Sequence, residues 1–277
     1  MIPQRVSDKN NLKIVAIFFI GLTIFIGISF LFKLITIILK SKFDGLHTFN
    51  LLTYTKDLSE KKATLFSLSP DKGTITIMHI SGKLDPKKLG YYIKAPIDGY
   101  VVPTSLAIFK NSFGKNRDEV IREIKNLLFN RRETNVTFVD LIRLCFYASG
   151  ISSHSIITRE IVLPLDDLSL DRITSFLFTD REIVREKISI AIVNGTGVAG
   201  LGNRIARLIT NIGGNVVSVS TSDNLISDSE ILYSKENNYT ARRIAQILSF
   251  KINNKDNMDI SDVTIFIGKN NLSNLLF

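Results

Sequence analysis

The 277-residue chain has no tryptophan, a single cysteine, three histidines and six prolines. One cysteine cannot close an intramolecular disulfide, so no disulfide framework holds this fold. Cys145 lies inside FVDLIRLCFYASG, an apolar run of helical period, and reads as a packing thiol rather than a nucleophile. His47, His79 and His154 are far apart, with no HExxH or paired spacing, which leaves a zinc site without support. The chain contains no GxSxG nucleophile elbow and no GxxxxGK[ST] phosphate loop. Without tryptophan a deep aromatic sugar platform loses its usual material. No catalytic residue, metal site or cofactor is expected from these counts.

What the chain has is charge of one sign, unevenly spread. Lysine and arginine number 35 against 26 acids, a formal charge of +9. Such an excess invites a nucleic-acid partner. Five of the nine excess charges lie in residues 1–42, where Arg5, Lys9, Lys13, Lys33, Lys40 and Lys42 face only Asp8. Residues 43–183 and 184–277 are each net +2, with acids interleaved among the bases. Phosphate contacts need clustered cations, so nucleic acid is not expected. The pairs Lys87-Lys88 and Arg131-Arg132 read as solvated faces or loops.

The basic N-terminus flanks a long apolar run. Ile14–Phe32 carries no charge over 19 residues, and after Lys33 the run resumes as LITIIL up to Lys40. Nineteen helical residues cover about 28 Å, close to the roughly 30 Å hydrocarbon core. Lys33 can snorkel, its stem buried and its ammonium among headgroups. A cleaved signal would have a shorter apolar core followed by a small-x-small site, and neither is present. A tail over 1–13 and a single-pass anchor over 14–39 are therefore expected. Basic residues are balanced across the segment, so the positive-inside rule does not orient it. Gly21 and Gly27 lack GxxxG spacing, and no helix dimer is inferred.

Residues 43–183 predict an α+β region. FNLLTY reads as a strand, and ATLFSLS and TITIMHIS as a hairpin about Pro70-Asp71-Lys72-Gly73. Tyr100–Val102 is a further extended patch after the Asp98-Gly99 turn. Then the period changes: Val120, Ile121, Ile124, Leu127 and Leu128 share one helical face. Thr137 with Asp140 has capping-box spacing and opens the next helix. Ser169–Phe178 predicts another helix, and Asp180–Lys187 a charged helical connector.

Residues 187–277 predict a two-layer domain in the order β-α-β-β-α-β. Its strands are Ile188–Val193, Asn215–Ser220, Ile231–Tyr233 and Val263–Ile267. Its helices begin at Gly200 and near Tyr239. Gly195-Thr196-Gly197-Val198-Ala199-Gly200 matches GxGxxG between a strand and a helix, the context that can hold a pyrophosphate. The nearest ribose-binding acid, Asp223, is 28 residues beyond Gly195, where about 20 is expected. The fold is also too small for two nucleotide-binding halves. The glycines read instead as a tight turn with close helix–sheet contact.

Several separated pieces carry a family resemblance. Val193-Asn194-Gly195-Thr196, Gly200-Leu201-Gly202, Gly213-Gly214, Ile231-Leu232-Tyr233, Ala241 with Ala245, and Asp262-Val263 with Gly268 keep one order and spacing. Together they resemble the LytR C-terminal domain of bacterial cell-envelope proteins, over about residues 187–270. The resemblance implies a place behind a single membrane anchor on the outer side of the membrane. It also raises the LytR-CpsA-Psr transferases, which attach undecaprenyl-linked glycopolymers to peptidoglycan. FNLLTYTKD and ATLFSLSPDKGTITIMHIS resemble the opening strands of that catalytic domain, and PIDGYVV a later one. Where that family has Pro-Arg-Asp, this chain has Ser81-Gly82-Lys83; where Asp-x-Arg is expected, it has Thr55-Lys56-Asp57. Residues 43–183 thus resemble either a degenerate, non-catalytic relative or an unrelated α+β spacer.

The expectation is a single-pass, membrane-anchored, non-catalytic envelope protein that binds or scaffolds, with peptidoglycan or envelope-assembly proteins as partners. The alternative is a divergent glycopolymer transferase using Asp57, Lys83 and Asp85. The candidate binding surface is the turn Asn194, Gly195 and Thr196 with Gly200 and Arg204, where amides and a nearby cation can meet an anionic or carbonyl-rich ligand. A competing reading has Asn194 bonding its own backbone.

Overall fold

The computed structural model describes residues 8–54, 62–82, 85, 88–104, 116–234, 238–255 and 261–270. It divides into two compact units, Met1–Ser41 and Lys42–Phe277. In the first, helix α1 runs from Asp8 to Leu39. Its stretch Lys13–Leu39 is 27 residues long and contains an 18-residue window of mean hydropathy 2.8. At about 1.5 Å per residue it extends about 40 Å, long enough and apolar enough to cross a membrane. Thr23 and Thr36 donate their hydroxyls to the carbonyls of Phe19 and Phe32 at 2.8 Å, so neither polar group needs water.

The second unit contains two mixed sheets. The first has strands β1 (Phe49–Tyr54), β2 (Lys62–Ser69), β3 (Thr74–Gly82), β4 (Gly99–Pro103), β5 (Arg131–Thr134) and β6 (Ile156–Leu163), ordered β5-β4-β1-β2-β3-β6. β2 and β3 form the expected antiparallel hairpin, with Gly73 N closing its turn on Pro70 O, and β1 adds antiparallel to β2. β4 lies parallel to β1, and β6 parallel to β3.

Both faces of this sheet are covered, which is why β1 is buried at all six positions and reads as an unbroken apolar run. On one face Leu51, Phe66, Leu68, Ile75 and Ile77 pack under α3 (Arg117–Phe129) and α4 (Phe138–Gly150). On the other, Leu52, Leu65, Met78 and Ile80 pack with α2 (Leu89–Ile93) and α5 (Asp167–Phe178). The capping box is present: Asp140 N donates to Thr137 Oγ1, and Thr137 N to Asp140 Oδ2. β5 was unforeseen because Arg-Arg-Glu-Thr is a short charged run; it is an edge strand, where charge suits an unpaired flank.

Helix α6 (Arg181–Glu186), capped by Asp180, is the expected charged connector and ends at Lys187 in the left-handed conformation. The second sheet follows. Its strands are β7 (Ser189–Asn194), β8 (Asn215–Thr221), β9 (Glu230–Tyr233), β10 (Lys251–Asn254) and β11 (Val263–Ile267), ordered β10-β9-β11-β7-β8. Helices α7 (Leu201–Asn211) and α8 (Tyr239–Leu248) bury Ile205, Leu208, Ile209, Ile244 and Leu248 against Ile190, Ile192, Ile231, Val263 and Ile265. The expected order is present with one strand added. β10 is Lys-Ile-Asn-Asn, a polar edge strand with little strand-like composition.

Candidate functional site

Asn194 ends β7 with its side chain turned back on its own turn. Its Oδ1 accepts the Thr196 amide at 3.1 Å and the Thr196 hydroxyl at 2.7 Å, and its Nδ2 donates to Val198 O at 2.9 Å. The Val198 amide in turn donates to Thr196 Oγ1 at 3.0 Å. The Gly195 amide donates to Ile267 O at 3.0 Å, and its carbonyl accepts from Ile226 N. The amides of Gly195, Thr196 and Val198, which an anion at this turn would need, are therefore already donated. This is the Asx-type turn that stands beside the ligand reading of Asn194. Gly197 and Gly200 take left-handed φ values of 75° and 77°. A Cβ on Gly195 would come within 2.4 Å of Ile226 Cγ1, so the GxGxxG run has a steric reason at each glycine.

Arg204 points elsewhere. Its guanidinium carbon sits 4.1 Å from the centre of the Tyr91 ring, a cation–π contact from α7 to α2. That contact belongs to a seam in which the helices of the second sheet meet those of the first. Lys94, only 2% exposed, places its ammonium 2.8 Å from Asp167 and 3.1 Å from Asp171. Arg207 of α7 meets the same carboxylates at 3.0 and 3.3 Å. The Lys94 ammonium holds the Asp167 carboxyl below the usual carboxylate range. Asn211 adds hydrogen bonds to Lys94 O and Asp171 Oδ1.

A second joint lies at α8. Arg243, 7% exposed, grips Asp98 with both terminal nitrogens, at 2.5 and 2.9 Å, and donates to Thr48 O at 3.1 Å. Its Nε is 3.9 Å from Asp180, which also accepts the Tyr239 hydroxyl at 2.7 Å. Burial pushes that hydroxyl far above the ordinary phenol range, and Asp180 adds to it. Burial opposes the charge on Arg243, but Asp98 outweighs it and the guanidinium is held protonated. Glu186 closes the seam by accepting from the amides of Tyr239 and Thr240 at 2.9 and 2.7 Å, a carboxylate on a helix N-terminus.

The sequence gives Asp98 only as a turn residue and does not single out Arg243. The one local signal was an arginine beside the inward face of α8, among Ala241, Ile244 and Ala245.

Asp140 has a second role beyond its helix cap. Its Oδ1 accepts the amides of Lys42 and Phe43 at 2.7 and 2.8 Å, so one carboxylate fixes both the start of α4 and the first residues after Ser41. Cys145 is half-buried against the α3–α4 core, and burial pushes its thiol pKa up, which suits packing. Of the residues assigned to the transferase alternative, Asp57 and Lys83 lie outside the described residues, and Asp85 is exposed.

Residues 187–270, about a third of the chain, match the LytR_C family, described as LytR cell envelope-related transcriptional attenuator. The resemblance drawn from the glycine, tyrosine and small-residue spacing is to this family. No curated protein matches the chain. The crystal structure of the Lin1025 protein from Listeria innocua is similar over 46% of this chain and 95% of its own, with 10% identity and a TM-score of 0.32. A likeness of that size carries no argument.

Proposed function

We propose that this chain is a single-pass membrane-anchored cell-envelope protein whose residues 43–277 lie outside the cytoplasm, acting as a non-catalytic binding or scaffolding module in wall assembly. One conjunction carries the reading: a span-length apolar helix precedes a folded unit whose residues 187–270 match an envelope-related family. In this reading 43–183 and 187–277 are two structural parts joined by α6, and peptidoglycan or an envelope-assembly protein is the partner. The non-catalytic part of the proposal has its own support. Arg243 with Asp98 and Asp180, and Lys94 with Asp167 and Asp171, are engaged in ion pairs at the seam and are not free to act on a substrate.

Contact at the Asn194–Thr196 turn would come through its outer side, where Val198 and Leu225 are 47% and 62% exposed. The polar groups of Asn194 are already used inside the turn. Two experiments test the reading. A reporter fused to the C-terminus, active only outside the cytoplasm, is expected to be active; activity confined to a cytoplasmic reporter overturns the topology. The full chain in neutral detergent is expected to be retained on purified peptidoglycan, or to co-purify with envelope-assembly proteins after cross-linking in cells. Neither outcome, with correct topology, would sink the binding role.

A further inference from the structure

We propose that a cleft just beyond the anchor is a phosphate-binding site, filled by the phosphate of a membrane-lipid headgroup. The cleft has a volume of about 240 Å³ and lies between the segment Lys42–Phe49 and helix α8. Among the described residues, Lys42, Arg242 and Arg243 supply three cations to its lining, and Asp44 the single carboxylate.

Asp44 is already engaged. It accepts from the amides of Leu46 and His47 at 2.8 and 3.0 Å and meets His47 Nδ1 at 2.5 Å. Arg243 is balanced by Asp98. Arg242 is not balanced in this way, and the Lys42 ammonium, attracted by the Asp98 and Asp140 carboxylates, still has donors to spare. The Lys42 ammonium donates to a neutral acceptor, Asp98 O, at 2.9 Å, which leaves two of its protons unspent. The Asp140 and Asp98 carboxylates nearby are occupied by backbone amides and by Arg243. Arg242 is exposed, and among the described residues its guanidinium has no ion-pair partner.

The stacking of His47 on Tyr239, with ring centres 4.7 Å apart, orients the imidazole, and Asp44 occupies its Nδ1. Nε2 is then the ring atom left to meet a ligand, and it donates to an anion in the imidazolium form. An unpaired guanidinium, an ammonium with two free protons and an oriented imidazole around one small cleft form a site for a compact anion with several acceptor oxygens, which is the chemistry of phosphate. The volume is below the roughly 300–1,000 Å³ of sites for drug-sized ligands, so a headgroup fits and a polymer does not.

The lipid source follows from chain connectivity and rests on the anchoring reading; the phosphate chemistry does not. Lys42 is three residues past Leu39, the last residue of the span-length helix. Three residues reach at most about 11 Å, so the chain itself keeps the cleft close to where headgroups lie.

The test is native mass spectrometry of the full chain in neutral detergent, with phosphatidylglycerol and with a diacylglycerol of the same acyl chains as probes. Inorganic phosphate is added in a separate arm. Arg242→Gln is the variant, and Arg122→Gln, an exposed cation on α3, is the control. Phosphatidylglycerol adducts are expected to exceed diacylglycerol adducts about tenfold, and to fall about tenfold in R242Q and not in R122Q. Inorganic phosphate bound by the wild type and lost in R242Q, without lipid adducts, supports the phosphate site and assigns a soluble source. Equal retention of the two lipids with no phosphate adduct, or the same binding in R242Q and R122Q, overturns the proposal. Because the phosphate arm needs no membrane, its result stands apart from any failure of the topology test.

Discussion

Arg243 and Asp98, 145 residues apart in the chain, meet as a buried two-pronged ion pair that joins the last long helix to the entrance of β4. Each is under a tenth exposed. The geometry satisfies both ends: Asp98 also accepts the Asn50 amide, and Arg243 also donates to Thr48 O. A buried pair of this kind adds little over a well-packed apolar pair, yet losing one member leaves an uncompensated charge.

Asp98→Ala or Arg243→Ala is therefore expected to destabilise the folded unit by about 3–5 kcal/mol. The double change Asp98→Leu with Arg243→Met is expected to cost less than either alone. Urea denaturation of the full chain in neutral detergent measures all three. A double variant as damaged as the sum of the singles would mean that the two residues act independently.

Asp140 accepts from the amides of Lys42, Phe43 and Thr137 and from the Thr137 hydroxyl, so its loss is expected to exceed the loss of a helix cap. Thr137→Ala is expected to cost about 1 kcal/mol, the usual worth of a cap. Asp140→Ala is expected to cost about 2–4 kcal/mol, because the buried amide of Phe43 and the part-buried amide of Lys42 also lose their acceptor. Hydrogen exchange separates the two roles: the Lys42 and Phe43 amides speed up in D140A and stay protected in T137A.

Glu123 gives a pH dependence. Burial is the main cause that pushes its carboxyl up to about 7, and its Oε2 has no hydrogen-bond partner among the described residues. The folded state therefore keeps a proton that the unfolded chain releases near pH 4.3, and stability falls as pH rises from there to about 7. Glu123→Gln removes this penalty. Because the side chain is partly solvated, the gain is expected to be about 1–2 kcal/mol at pH 8, shrinking to nearly nothing at pH 4. Denaturation midpoints of wild type and variant that run parallel across this range would exclude the assignment.

Two glycines are expected to respond in opposite directions. A Cβ on Gly268 would lie 2.5 Å from the backbone carbon of Asp228, a neighbour that cannot step aside. Gly268→Ala is expected to cost about 1–3 kcal/mol or more. Gly150, at the end of α4, has nothing within 4 Å, and Gly150→Ala is expected to be neutral or stabilising by up to about 1 kcal/mol. Thermal unfolding by circular dichroism checks both.

Local signals were legible in this chain and distant ones were not. The hairpin of β2 and β3, the Thr137–Asp140 box and the faces of α7 and α8 depend on residues a few positions apart, so spacing alone reveals them. β5 and β10 stayed hidden because an edge strand buries little and needs no apolar alternation. The seam stayed hidden for another reason. Arg207 and Asp167, or Arg243 and Asp98, carry no mark of their partnership until the chain brings them together. At the candidate turn, the two-residue separation of Asn194 and Thr196 already allowed a self-contained turn, whereas the contact of Arg204 with Tyr91 had no local trace.

The grip of Asp140 on Lys42 and Phe43 also has a mechanical meaning. Tension arriving along the tether enters the folded unit at these two residues and passes next into β1. β1 is an interior strand, hydrogen-bonded to β2 on one side and β4 on the other. A pull must therefore release the carboxylate clasp and then shear two ladders together, instead of unzipping one edge. The path of the force is built into the strand order itself, at the point where a tethered protein would first feel a pull.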